Sequence, residues 1–173
     1  MSEIQKMLEA NREFAGSFTQ GDLPMPPARH VAILTCMDAR IHPAKVLGLE
    51  IGDAHVIRNA GGRASDDAIR SLIISSSLLG TAEFAVIHHT ECGMLTFTND
   101  HLQAKLKQET GEDASGIDFL PFPDLEQSVR DDVDRILQTP FIDPSIPVSG
   151  YIYDVHTGAV EQVVAPVTAG ATA

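Results

Sequence analysis

Three short apolar runs, each followed by a segment with helical character, constrain the fold of this chain most strongly. The run "VAILT" at 31–35 is rich in apolar and β-branched residues, which is typical of a parallel strand buried on both faces. Similar runs occur at 54–58 and 83–88, and the stretch 150–165 has a strand, a turn and a second strand. The alternation predicts an α/β fold whose mostly parallel β-sheet has about four to five strands flanked by helices.

Five segments have the apolar spacing or the terminal residues of helices. The first, 2–18, begins with Ser2 and Gln5 at the spacing of a capping box. Pro43 suits the first turn of a short helix, and Asn99 is expected to cap a helix over 100–109. The other two helices are expected over 66–79 and 123–138.

The chain length of 173 residues favours a single domain, which we place at 1–165. The small and polar segment 166–173 is expected to be a disordered tail.

Charge and hydropathy argue against several classes of protein. The net charge of −12 disfavours a nucleic-acid-binding protein, and no apolar run reaches the length of a membrane span. The N-terminus is charged and lacks the apolar core of a secretory signal, so we expect a cytoplasmic protein. Thiols stay reduced in that compartment, where they serve as metal ligands or nucleophiles more often than as disulfides.

The two cysteines of the chain follow two of the predicted strands. Cys36 comes directly after the first strand, and His89 and Cys92 come directly after the third. If these parallel strands are neighbours, their carboxyl ends bring the three side chains to one crevice. Two thiolates and an imidazole suit zinc, and three protein ligands leave a position open for water, as in catalytic zinc sites. The alternative is that each cysteine is a small buried apolar residue.

Asp38 and Arg40 lie between the first cysteine and the next helix. Their spacing lets both side chains point the same way in an extended loop, where the guanidinium can hold the carboxylate in its ionised form. Such a carboxylate can accept the proton of a zinc-bound water, or it can become a fourth zinc ligand if Arg40 releases it. The alternative is a surface ion pair of small energetic value.

The motifs "CMDAR", "RNAGG" and "HHTECGM", in this order, resemble those of the β-class carbonic anhydrases. The resemblance is strongest to the short branch of that family, which also includes carbonyl sulfide and carbon disulfide hydrolases. It implies that Cys36, His89 and Cys92 bind one zinc ion per chain and that Asp38 and Arg40 are catalytic. It also implies a homodimer or homotetramer, with the N-terminal helix packed on a partner subunit.

The resemblance implies that hydroxide formed at zinc attacks a small linear substrate. The favoured reaction is the reversible hydration of CO2 to bicarbonate. Hydrolysis of carbonyl sulfide at the same site is the close alternative. A zinc-binding sensor without activity is the third.

Other residues receive less specific assignments. The amides of Gly61 and Gly62 are expected either to approach the substrate oxygen or only to form a tight turn. Met94 stands where the larger members of the family that the chain resembles commonly have glycine, and it is a candidate to narrow or line the substrate pocket, with ordinary packing as the alternative. Arg63, Leu95 and Phe97 are candidates for the pocket or its entrance, with ordinary packing as the alternative.

The remaining histidines carry weaker expectations. His88 is expected to support the site by packing or outer contacts, and His42 either to shuttle protons or to lie in solvent. No role is assigned to His30, His55, His101 and His156.

Overall fold

A computed structural model, which describes residues 1–170, confirms the predicted α/β fold. Five strands form one sheet in the order β2-β1-β3-β4-β5. The first four are parallel to one another, and β5 is antiparallel to β4. The strands are β1 (Val31–Cys36), β2 (Ala54–Asn59), β3 (Glu83–His89), β4 (Val148–Tyr153) and β5 (Val160–Val167).

The helices lie close to their predicted positions, with one correction at a helix start. The helices are α1 (Glu3–Ser17), α2 (Pro43–Leu47), α3 (Asp66–Leu79), α4 (Asn99–Thr110) and α5 (Leu125–Leu137). The capping box of Ser2 and Gln5 is present. Thr98, not Asn99, caps α4, because the Thr98 hydroxyl accepts a hydrogen bond from the amide of His101.

The order of the strands places a crevice beyond β1 and β3. The chain adds β2 on one side of β1 and then crosses to add β3 on the other side. This reversal of strand order leaves an opening at the carboxyl ends of the two neighbouring strands, which is where sites of open parallel sheets form.

Two apolar clusters cover the two faces of the sheet. The first packs α3 and α5 against alternate strand residues such as Leu34, Phe84 and Val86. The second lies on the other face and contains both cysteines, and its buried members are Ile33, Cys36, Ile41, Ile87, Cys92, Met94, Phe122 and Tyr153. The candidate metal ligands therefore lie in an apolar environment that limits access of water.

Both ends of the chain extend beyond this core. All residues of α1 are exposed, including the apolar side chains of Ile4, Met7, Leu8 and Phe14. At the other end, β5 includes Pro166 and Val167, so the sheet extends two residues into the segment expected to be a disordered tail. The last part of that segment, 171–173, lies outside the described residues. Within residues 1–170, no helix combines the length and the apolar character needed to cross a membrane.

Candidate metal centre

Cys36, His89 and Cys92 converge at the carboxyl ends of β1 and β3. The ligand atoms of these three side chains all lie within 4.8 Å of one another, and all three residues are buried. The convergence follows from the register, because β1 and β3 are hydrogen-bonded neighbours and end at the same edge of the sheet. A buried group of two thiols and one imidazole is a donor set that suits zinc.

The ring of His89 is oriented so that one nitrogen is available to a metal ion. Its Nδ1 lies 2.8 Å from the carbonyl oxygen of Thr90, which can only accept, so Nδ1 carries the proton. The neutral ring then has its lone pair on Nε2, and this atom is buried without a hydrogen-bond partner among the described residues. Metal-binding histidines are held in this way, by a hydrogen bond from the other ring nitrogen.

Hydrogen bonds also prepare the cysteines for a metal ion. The pKa of Cys36 is lowered, chiefly because the thiol of Cys92 donates a hydrogen bond to its sulfur, with further hydrogen bonds from the backbone amides of Asp38 and Gly61. The pKa of Cys92 is raised, because its thiol donates to Cys36 and because it is buried. The lowered pKa of Cys36 favours its thiolate, which is the form that binds metals.

Arg40 fixes the carboxylate of Asp38 beside this cluster. Its Nε lies 3.0 Å from Oδ1 and its Nη2 lies 2.8 Å from Oδ2, and the backbone amide of Arg40 donates to Oδ1 at 2.8 Å. These hydrogen bonds hold the pKa of Asp38 well below its usual range. Asp38 Oδ2 lies 3.8 Å from His89 Nε2. The carboxylate is therefore ionised, can only accept hydrogen bonds, and faces the candidate metal ligands.

Two residues without a predicted role extend the contacts of Arg40. Glu91 accepts from Arg40 through its carboxylate at 3.2 Å and through its backbone carbonyl at 3.1 Å. His156 Nε2 lies 2.9 Å from the other carboxylate oxygen of Glu91, and this contact raises the pKa of His156. The pairing joins residues 65 positions apart, which no local pattern in the sequence reveals.

Arg58 is a further residue that the sequence pattern did not single out. Its Nε donates to the carbonyl of Cys36 at 2.9 Å and its Nη2 donates to the carbonyl of Asp38 at 2.7 Å. The Arg58 side chain thus holds the backbone on both sides of Met37. The parallel pairing of β1 with β2 sets Arg58 opposite Thr35, next to Cys36, so a correct prediction of that pairing would have pointed to Arg58.

The glycine turn packs directly on the strand that carries Cys36. Gly61 and Gly62 have φ values of 80° and 70°, which favour glycine. A Cβ atom on Gly62 would lie 2.9 Å from the backbone nitrogen of Cys36. The tight turn is thus required by this close approach, and the amide of Gly61 donates to the sulfur of Cys36. Contact of the two glycines with substrate stays a prediction.

The remaining candidates divide between the apolar surroundings of the site and other positions. Met94 is buried in the cluster that contains both cysteines, and its amide donates to the sulfur of Cys92. Leu95 and Phe97 line a surface groove of about 400 Å³, next to Phe122. His42 caps α2 by accepting from the amide of Lys45.

Of the two alternatives for Arg63, a place at the pocket or its entrance and ordinary packing, the structure favours packing. The Arg63 side chain is mostly buried, with its Nε 3.1 Å from Asp132 Oδ2. Its guanidinium lies over the ring of Phe122, 5.3 Å from the ring centroid. Arg63 points away from solvent because a buried carboxylate on α5 pairs with it. No local pattern in the sequence indicates this partner, which is 69 positions away.

Comparisons with known proteins agree with this architecture. The family model described as "Carbonic anhydrase" matches residues 31–160. The chain is 44% identical over 165 residues to β-carbonic anhydrase 1 of Mycobacterium tuberculosis, covering 94% of this chain and 99% of that protein.

Two further similarities bear on fold and substrate. The chain is 35% identical over 157 residues to the carbon disulfide hydrolase of Saccharolobus solfataricus, covering 77% of this chain and 76% of that protein. A crystal structure of carbonic anhydrase from Streptococcus mutans superposes with a TM-score of 0.91 at 49% identity, covering 94% of this chain and 98% of that one.

Proposed function

Because the chain belongs to the β-carbonic anhydrase family and is an enzyme of that type, we propose that it binds one zinc ion and hydrates CO2 to bicarbonate. The observation that carries the proposal is the ionised Asp38 carboxylate, which Arg40 aims at a buried cluster of three metal ligands. A zinc site that serves only the fold would need neither of these two residues.

Cys36, His89 and Cys92 are the residues that would hold zinc. The fit rests on the buried lone pair of His89 Nε2 and on the two buried thiols whose sulfur atoms lie within 4.8 Å of it and of each other. Three protein ligands leave a coordination position for solvent. Zinc in such a site supplies hydroxide at neutral pH, because it lowers the pKa of coordinated water from 15.7 to about 7.

Asp38 would orient the attacking oxygen. Since its carboxylate is ionised and acts only as an acceptor, it binds the O–H group and leaves the oxygen lone pair directed at the substrate carbon. Arg40 fixes the direction of the carboxylate through two parallel hydrogen bonds. The same two bonds keep Asp38 from turning into the open coordination position.

The apolar cluster around the ligands would hold the substrate. Met94, Phe122 and Ile41 are buried together with both cysteines. Apolar walls suit a small neutral molecule such as CO2, and they exclude competing water from the reacting atoms. Gly61, Gly62 and Met94 are our proposed substrate contacts.

Carbonyl sulfide hydrolysis is the second candidate function, and the similarity to carbon disulfide hydrolases favours it. Carbonyl sulfide and carbon disulfide are linear triatomic molecules like CO2, so one attacking oxygen and one apolar slot can serve all three. The choice among them depends on the shape of the pocket.

A direct comparison of substrates tests the two candidates. One zinc-loaded preparation is assayed for CO2 hydration by rapid mixing with a pH indicator, and for hydrogen sulfide release under carbonyl sulfide. We expect CO2 turnover far above the buffer rate. A buffer-level CO2 rate together with hydrogen sulfide release would assign the second function instead. Absence of both activities from the zinc-loaded wild-type protein would favour a zinc-binding sensor.

We also propose that the protein is a homodimer or homotetramer. The helix α1 presents Ile4, Met7 and Phe14 to solvent, and their exposed fractions are 64%, 62% and 52%. Apolar side chains in a row on one helix mark an interaction surface. Light scattering should give a multiple of the 18.6 kDa chain mass, whereas a monomer at micromolar concentration would contradict the proposal.

We place the protein in the cytoplasm, since both proposed cysteine ligands must stay reduced to bind zinc. Fractionation of the source cells would test this location, and recovery of the protein outside the cytosol would contradict it.

A further inference from the structure

A buried ionic cluster lies behind the candidate metal centre, and the mechanism above does not use it. Asp132 is on the buried face of α5 and is 2% exposed. Its Oδ2 lies 3.1 Å from Arg63 Nε and 3.1 Å from His88 Nε2. We call Arg63, His88 and Asp132 the buried triad. Burying an ionised carboxylate costs free energy unless cations or hydrogen-bond donors pair with it, so a buried carboxylate at this position suggests a function.

The hydrogen-bond partners of His88 define the direction of its contact with Asp132. His88 Nε2 faces the Asp132 carboxylate and, at 3.3 Å, the carbonyl of Gly62. Both neighbours are acceptors, so Nε2 carries a proton. The other nitrogen, Nδ1, lies 2.8 Å from the hydroxyl of Ser128, one turn before Asp132 on α5. The helix therefore holds both ends of the imidazole ring.

The buried triad connects to Cys36 through the glycine turn. Gly62 accepts from His88, and Arg63 follows Gly62 directly in the chain. Both contacts fix the turn that packs on the backbone of Cys36, where a Cβ atom on Gly62 would lie only 2.9 Å from the Cys36 nitrogen. Movement of Asp132 would release the turn from both sides.

The triad connects to Cys92 through Phe122. The ring of Phe122 stacks on His88, with centroids 5.5 Å apart, and it also lies against the Arg63 guanidinium. The amide of Phe122 donates to the carbonyl of Met94 at 3.2 Å. Met94 belongs to the same buried cluster as Cys92, and the next residue, Leu95, donates its amide to the Cys92 carbonyl at 3.0 Å.

The third connection is covalent, because His88 directly precedes His89. Each of the three candidate ligands is thus supported by a contact that starts at one carboxylate. We propose that Asp132 is a positioning residue that holds Cys36, His89 and Cys92 in the arrangement that retains zinc. This inference rests on the proposed zinc site.

The test measures how fast zinc leaves the intact holoenzyme. A colorimetric chelator in excess takes up zinc from the wild type and from Asp132→Asn, which keeps the shape of the side chain but removes its charge. Loss of outer contacts to metal ligands lowers metal affinity by about 10- to 100-fold, so we expect zinc release to accelerate by about that factor.

Two control variants on the same helix separate positioning from stability and charge. Val133→Ala opens a cavity in the core beside the triad residue and lowers fold stability without touching the three connections. Asp134→Asn removes the same charge from the exposed face of α5. Both controls should release zinc at the wild-type rate at a temperature where all variants are folded.

Ser128→Ala is a milder variant that keeps the test decisive if Asp132→Asn does not fold. It removes the partner of His88 Nδ1, and we expect zinc release to accelerate by about threefold or more. The inference would be overturned if whichever of Asp132→Asn and Ser128→Ala folds released zinc at the wild-type rate, or if Val133→Ala accelerated release equally. Either result would leave the proposed zinc site intact. A wild-type protein that binds no zinc would overturn the proposed function and this inference with it.

Discussion

Replacing Asp38 with asparagine is expected to lower kcat/KM for CO2 by about 10²- to 10⁴-fold, the range of a positioned acid–base group. Asparagine has nearly the same shape, but its amide nitrogen donates where the carboxylate accepted. The variant loses the ionic bond to Arg40 and no longer presents a group that can only accept the O–H group of the attacking oxygen. Zinc should stay bound, because Asp38 is not among the three ligands. Rapid-mixing kinetics on metal-loaded variants measure the effect.

The chain offers a matched control for this substitution. Arg29 and Asp53 form an ion pair at 3.0 Å, with side chains that are 51% and 18% exposed. The pair of Arg40 and Asp38 lies at 2.8 Å, with exposed fractions of 46% and 19%. Asp53→Asn should therefore perturb the fold about as much and leave kcat/KM unchanged. An Asp38→Asn variant within about twofold of wild type would refute the catalytic assignment.

Replacing His89 with alanine is expected to reduce zinc from about one per chain to a small fraction of that, and CO2 hydration to the buffer rate. The two cysteines alone cannot complete a three-ligand site, and His89 Nε2 is the buried lone pair that the structure leaves for a metal ion. Elemental analysis after dialysis against a weak chelator measures zinc, and circular dichroism verifies the fold.

His42→Ala is the control for the loss of zinc, because His42 is exposed and only caps α2. It should retain zinc and activity. Retention of a full zinc equivalent by His89→Ala would mean that the metal lies elsewhere.

The strands and the three candidate ligands were predictable because both can be recognised from residues that are close together in the sequence. An apolar run of β-branched residues indicates a buried parallel strand wherever it occurs. The carboxyl ends of neighbouring parallel strands share one edge, so Cys36 and His89 had to approach each other once β1 and β3 paired. The contact between Asp38 and Arg40 is also local, since two positions separate them.

The supporting contacts were not predictable, because they join side chains that are distant in sequence. Asp132 looks like any acidic residue of a surface helix, and only the packing of α5 on the sheet turns it inward. Arg63 was left open between the pocket and ordinary packing for the same reason, since its buried partner was not apparent. The pairing of Glu91 with His156 depends on the position of the loop between β4 and β5.

The central claim is that Cys36, His89 and Cys92 bind zinc and leave one position for solvent. X-ray absorption at the zinc edge of the wild-type protein tests it most directly. We predict two sulfur ligands at about 2.3 Å, one imidazole nitrogen at about 2.0–2.1 Å and one further oxygen. A first shell without sulfur, or one with a second imidazole in place of the oxygen, would contradict the claim.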